Sequence, residues 1–150
     1  QHPLFLAVLA KHAQSYEVPL GLFRRFVVAR AGEHRDTLDL KAAGSMPLTD
    51  VLRVHALAAG IHEPGCLQRI DALRRAERLS SSTAVEWASV FRLLLGLRLQ
   101  HQAAQLRAGS SADNRINPDQ LERRDRDALR DAFAVIRLAQ TALANEYGVR

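Results

Sequence analysis

Thr83-Ala-Val-Glu-Trp-Ala-Ser-Val-Phe-Arg-Leu-Leu-Leu-Gly-Leu-Arg-Leu-Gln-His-Gln-Ala-Ala-Gln-Leu-Arg-Ala108 decides the fold. The run is long and strongly apolar, with Phe91, Leu93, Leu94, Leu95, Leu97 and Leu99 clustered at its middle, and Gly109 closes it. Ser80-Ser-Ser-Thr83 offers an N-cap worth about 1 kcal/mol at its start. This segment is expected to be a central helix. Taking Leu95, Leu99, Ala103 and Leu106 as its buried stripe, Gln102 lies nearly in line and Arg98 on the flank at 100° per residue. Either Gln102 is expected to be a satisfied core amide and Arg98 to pair with an acid from a neighbouring helix, or the two form the anion-facing edge of a pocket.

Downstream, the polar connection Ser110 to Asn117 leads to Pro118, which starts a last helix with the stripe Leu129, Phe133, Ile136, Leu143, Tyr147, ended by Gly148. Two long helices joined by a turn should pack antiparallel. Upstream, Pro3 to about Tyr16 reads as an opening helix with Leu4, Leu6, Val8 and Leu9 as its apolar positions, and Pro19 and Gly21 break it. The β-formers of Leu22 to Arg30 and the alternation of Thr37-Leu-Asp-Leu40 suggest a short hairpin across residues 23–40. Pro47 to Ala59, stopped by Gly60, and Gly65 to Arg78, with Leu67, Ile70, Leu73 and Ala76 inward, complete the set. The expected fold is mainly α: one helical bundle spanning residues 1–150, with two long antiparallel C-terminal helices and a short β-hairpin near 23–40.

Composition agrees. The chain has 150 residues, is 47% hydrophobic and only 5% aromatic, and is rich in the helix formers Leu and Ala. Its 21 basic residues face 16 acids, a net charge of +5, without the basic run and interleaved aromatics of a nucleic-acid surface. The single cysteine, Cys66, allows no internal disulfide and suits a reducing cytoplasm. No stretch approaches the roughly 20 apolar residues of a membrane span. The chain begins with Gln, so it is expected to be a C-terminal fragment of a longer protein.

Asp39, Lys41, Asp50 and Arg53 flank one glycine-containing turn and could converge around a polar ligand or at an interface. If residues 38–41 are extended, Asp39 and Lys41 share one side and Leu38 and Leu40 the other. His2, His12, His34, His55, His62 and His101 show no metal-ligand spacing. Serines 80–82 read as caps, and no nucleophile motif surrounds any serine. The Asp/Arg alternation from Asp119 to Asp131, with Glu122–Arg126 as one pair, reads as a solvated helix face. Gly109-Ser110 and Asp125-Arg-Asp127 mimic the Gly-Ser and Asp-x-Asp of nucleotidyl transfer. On a helix, however, residues two apart point about 200° apart and cannot share a metal.

The order of segments carries a resemblance. Phe23-Arg-Arg-Phe-Val-Val28, Gly32 to Lys41, Pro47 to Gly60, Leu97-Arg-Leu-Gln-His-Gln102, Asp113-Asn-Arg-Ile-Asn-Pro118 and Leu129-Arg-Asp-Ala-Phe133 together resemble the nucleotidyltransferase substrate-binding domain. In bacterial signalling proteins that domain follows a nucleotidyltransferase-like domain related to the protein-PII uridylyltransferases. Cyclic-nucleotide-binding and cystathionine-β-synthase-type (CBS) sensory modules usually lie upstream. The resemblance implies a helical, non-catalytic accessory domain that binds or positions the acceptor. A divalent metal such as Mg and the nucleotide would belong to the parent transferase domain, with no cofactor in this chain. The positions matching the family's segments are Asp39, Lys41, Asp50, Arg53, Arg98, Gln102 and Asn114. We expect Lys41, Arg53 and Arg98 to supply positive charge, Asp39 and Asp50 to orient them, and Gln102 and Asn114 to add hydrogen bonds. The competing expectation is a dimerisation or signal-relay module that couples the sensory domains to the transferase, with neither nucleic acid nor membrane as partner.

Overall fold

The computed structural model describes residues 3–149. Five α-helices carry it among the described residues: α1 (Pro3–Gln14), α2 (Met46–Ala58), α3 (Cys66–Arg75), α4 (Ser81–Arg107) and α5 (Arg123–Tyr147). Local chemistry sets their ends. Pro47 sits in the first turn of α2, directly after the wider π-type turn Lys41–Ser45, and its ring pre-sets a helical φ there. The Ser80 hydroxyl accepts the Thr83 N–H at 3.1 Å and caps α4. At its other end Gly109 turns left-handed (φ +74°), so that the Ser110 N–H reaches the Gln105 carbonyl at 2.9 Å.

Helix α3 stops three residues before its expected end at Arg78, because Glu77 adopts φ 56° and sends the Arg78 N–H back to the Leu73 carbonyl. A side chain in this conformation costs about 1–2 kcal/mol. Glycine would remove that strain but return about 0.4–1 kcal/mol through its freer unfolded chain. Glu77→Gly is therefore expected to raise stability by up to about 1 kcal/mol, read as a higher urea midpoint. A lower midpoint would show that the glutamate makes contacts worth more than the strain.

One hydrophobic cluster joins all five helices. Helix α5 is its spine: Leu129, Phe133, Ile136 and Leu143 are fully buried, as the sequence stripe requires, with Tyr147 half-buried at the end. Leu48, Val51 and Leu52 of α2, Ile70 and Leu73 of α3, and Leu6, Ala10 and Ala13 of α1 pack around it.

Helix α4 departs from expectation. Its buried residues are Ala84, Trp87, Val90, Leu94 and Leu97, whereas Leu99 and Leu106 of the expected stripe are 66% and 64% exposed. The reason is the set of partners. Helices α3 and α5 and the segment 41–45 pack on α4, whose last buried residue is Leu97. Beyond it the connection back to α5 lies along the helix through polar bonds, Gln105 to Asp113 at 3.0 Å and His101 to Asp113 at 3.0 Å. Helix α1 shows the same effect: Leu6 is buried, but Leu4 and Val8 face outward at 79% and 60%.

The segment 23–40 folds back on itself with little regular structure. Leu20 bridges Phe26, Ala29 exchanges backbone hydrogen bonds with Thr37 and Asp36, and Phe23 and Arg24 take left-handed conformations. The ladder itself is formed across the chain: β1 (Leu38–Asp39) pairs antiparallel with β2 (Arg115–Ile116), not with residues 23–30. Leu38 and Leu40 are buried, Asp39 is half-buried and Lys41 exposed, but the stretch is extended only over Leu38–Asp39, because Leu40 already has helical angles (φ −62°, ψ −26°). Beyond Leu40 the chain turns helical at once. Residues Lys41–Ser45 form a wide π-type turn that runs into α2.

His55 of α2 lies against the Trp87 ring (5.9 Å between centroids) and 4.0 Å from Glu146 of α5. Burial pushes its imidazole below the ordinary value, partly countered by the Glu146 carboxylate. Because the folded-state pKa lies below the unfolded one, the unfolded chain binds the extra proton. Stability is then lost as pH falls from about 6.5 toward the lower folded value. Urea midpoints at pH 7.5 and 5.5 should differ in the native protein and converge in His55→Gln; an unaltered difference in the variant would assign the slope to other groups.

Candidate functional site

Asp39 begins the site. Its carboxylate accepts the backbone N–H groups of Lys41 and Ala42, each at 2.9 Å, and so fixes the start of the turn that carries Lys41 and Ser45. At Gly44 this turn lies so close to the core that a Cβ would stand 2.9 Å from a Leu94 methyl and 3.5 Å from the Phe133 ring. From there α2 presents Met46, Thr49, Asp50 and Arg53 on one face.

Across from it, α4 contributes Phe91, Leu95 and Arg98, and the end of α1 contributes His12 and Tyr16. Together with Lys41 and Ser45 these side chains line an open cleft of about 480 Å³, within the range of small-molecule sites. Among its lining residues the charged side chains are Lys41, Arg53, Arg98 and Asp50: three positive and one negative, net +2.

Asp50 is the buried polar centre, 7% exposed. One oxygen accepts Arg53 at 2.5 Å; the other accepts the Tyr16 hydroxyl at 2.9 Å and lies 3.6 Å from His12 Nε2. Burial first, then the bond to Asp50 and its charge, pushes the Tyr16 phenol above its ordinary value, with Arg53 acting in the opposite sense. Tyr16 thus stays a neutral donor. Its own position is set from behind: Gln140 of α5, buried, donates to the carbonyls of Ala13 and Tyr16 at 2.8 and 3.0 Å.

Arg98 is held from both sides. Its Nε donates to Asn114 Oδ1 at 2.9 Å and its Nη1 to Ser45 Oγ at 3.3 Å. Gln102 donates to the same Asn114 oxygen at 3.2 Å, and the Asn114 carbonyl accepts the Leu40 N–H at 2.9 Å. Gln102 and Asn114 therefore stand behind Arg98 rather than on the cleft wall. Neighbouring Asp113 shows the same tightness. Its partial burial would raise its carboxyl, but hydrogen bonds from the Arg115 N–H, Gln105 and His101 outweigh that and hold it below the usual range.

Of the seven candidate residues, Lys41, Asp50, Arg53 and Arg98 meet in the cleft, and Asp39, Gln102 and Asn114 support them. Residues 3–147 match the family described as "Putative nucleotidyltransferase substrate binding domain". The chain belongs to this family. No curated protein and no solved structure matches it.

The Gly109-Ser110 and Asp125-Arg-Asp127 look-alikes are not among the residues that line the cleft. Asp125 and Asp127 lie on the first turns of α5, where Asp127 pairs with Arg130 at 2.7 Å and Arg123 at 3.8 Å. Glu122 precedes that helix, so Arg126 pairs instead with Asp119. His2 lies outside the described residues. Sequence reasoning missed His12, Tyr16, Ser45 and Gln140. Nothing in residue spacing ties Tyr16 to Asp50; the closest signal was a tyrosine and a histidine four apart at the polar end of an apolar helix.

Proposed function

We propose that this domain is a non-catalytic, cytoplasmic accessory module whose cleft binds an anionic group of the substrate or acceptor and positions it for nucleotidyl transfer. The catalytic metal and nucleotide would be brought by a transferase domain of the same parent chain. The observation that carries this reading is the convergence of Lys41, Arg53 and Arg98, from three separate elements, on one cleft. Asp50 orients Arg53, and Asn114, Gln102 and Ser45 orient Arg98.

Titration calorimetry with pyrophosphate as the probe tests it. Arg98→Ala should weaken binding about tenfold or more, the scale of one charge-assisted hydrogen bond, while circular dichroism stays unchanged. Equal affinity in a folded variant would remove Arg98 from the site.

The rival, a dimerisation or relay module answering to upstream sensory domains, draws support from Leu4, Phe5 and Val8, which stand 79%, 56% and 60% exposed on α1. Sedimentation of the isolated chain separates the two. A stable dimer that takes up no pyrophosphate would favour the rival, and a monomer that binds it would favour the cleft.

A further inference from the structure

Charge is not spread evenly along the cleft. Arg53 is compensated by Asp50 at 2.5 Å, whereas among the described residues neither Lys41 nor Arg98 is ion-paired. The uncompensated positive charge therefore sits at the end where Arg98 reaches Ser45 and the turn bearing Lys41. Away from that end the wall changes character.

Phe91, Leu95 and Arg98 follow one another at intervals of four and three on α4, so they form a single line facing the cleft, and Met46 of α2 lines it as well. Seven residues of helix place Phe91 about 10 Å along the axis from Arg98. A half-buried aromatic ring with aliphatic neighbours, one such span from a pair of free cations, matches an amphiphilic ligand with its charge at one end.

We propose that the cleft takes a phosphate monoester carried on a flat, largely apolar ring system, with the proportions of a nucleoside monophosphate. The phosphate lies against Lys41 and Arg98, and the ring lies against Phe91 and Leu95. The Asp50–Tyr16 pair, already satisfied internally, lines the same cleft and holds Arg53 in place. This assignment rests on the anion-binding reading of the cleft and adds the second half of the ligand.

The test titrates the full 150-residue chain with three probes: adenosine 5′-monophosphate, ribose 5-phosphate and adenosine. The monophosphate should bind roughly tenfold or more tightly than either part, the scale of one base stacked on an aromatic side chain or one charge-assisted contact. Phe91→Leu, which keeps an apolar side chain there for the core, should bring adenosine 5′-monophosphate close to ribose 5-phosphate and leave the latter unchanged. Lys41→Gln, at an exposed position, should weaken both phosphates and leave adenosine unchanged. If ribose 5-phosphate binds as tightly as adenosine 5′-monophosphate, the ring subsite is overturned and the anion-binding reading stands. If adenosine binds as tightly as its monophosphate, or if neither phosphate binds, both are overturned. The probe comparison uses the unaltered chain, so it decides even if a variant fails to fold.

Discussion

Phe133→Ala is expected to cost about 3–5 kcal/mol of folding stability. Phe133 is fully exposed to the core and not at all to water, meets the Phe26 ring edge-on at 6.2 Å, and lies behind the turn at Gly44. Removing the ring withdraws contacts from α5, the 20–30 segment and the turn at once. The surrounding helices can close only part of the space left, so a cavity term adds to the lost transfer energy. Such a loss is a large share of the roughly 5–15 kcal/mol that holds a domain together. At about 2–4 °C per kcal/mol, thermal unfolding followed by circular dichroism should fall by roughly 6–20 °C. A fall of only a degree or two would mean that Phe26, half-buried with Arg130 lying 5.0 Å over its ring, collapses into the gap.

Gly44→Val should cost about 1–3 kcal/mol by overpacking and should disturb ligand binding as well. A Cβ there already stands 2.9 and 3.2 Å from the two methyls of Leu94, which is fully buried and has little room to turn away. Two further methyls would force the turn off α4, and with it Lys41 and the Ser45 hydroxyl that Arg98 grips. The expected signature is a lower urea midpoint together with weaker pyrophosphate binding in a variant that alters no polar group. If stability fell but affinity held, the turn would be shown to move as a unit with Arg98.

Helices with a strong period and clear punctuation were legible in the sequence. Helix α5 shows its stripe and its closing Gly148 directly, but it begins at Arg123 and not at Pro118, which opens a separate short turn over Pro118–Gln120; α2 shows Pro47 and Gly60. Helix α4 was legible as a helix but not in its buried face. Leucine occurs all round it, and only tertiary packing, including the turn at Gly44 that lies against Leu94, decides that Leu94 and Leu97 are covered while Leu99 is not. The ladder at Leu38–Asp39 was displaced for a similar reason: a two-residue strand carries too little pattern to reveal that its partner lies at Arg115–Ile116. In the candidate site, the i, i+3 pair Asp50–Arg53 could be read locally, being one helical turn. Tyr16 could not, because it arrives by tertiary packing, steered by a glutamine on the last helix.

Asn114 gives the cleft a property that concerns charge rather than shape. Its side-chain oxygen takes two donors, Arg98 and Gln102, a task that a carboxylate of nearly the same outline would perform at least as strongly. An aspartate there would also neutralise the guanidinium it holds, as Asp50 does for Arg53. With an amide the anchor is electrically silent: Arg98 is fixed in direction yet keeps its whole charge for whatever enters. The exchange Asn114→Asp would leave the scaffold almost isosteric and set a negative charge directly against Arg98, behind the cleft wall.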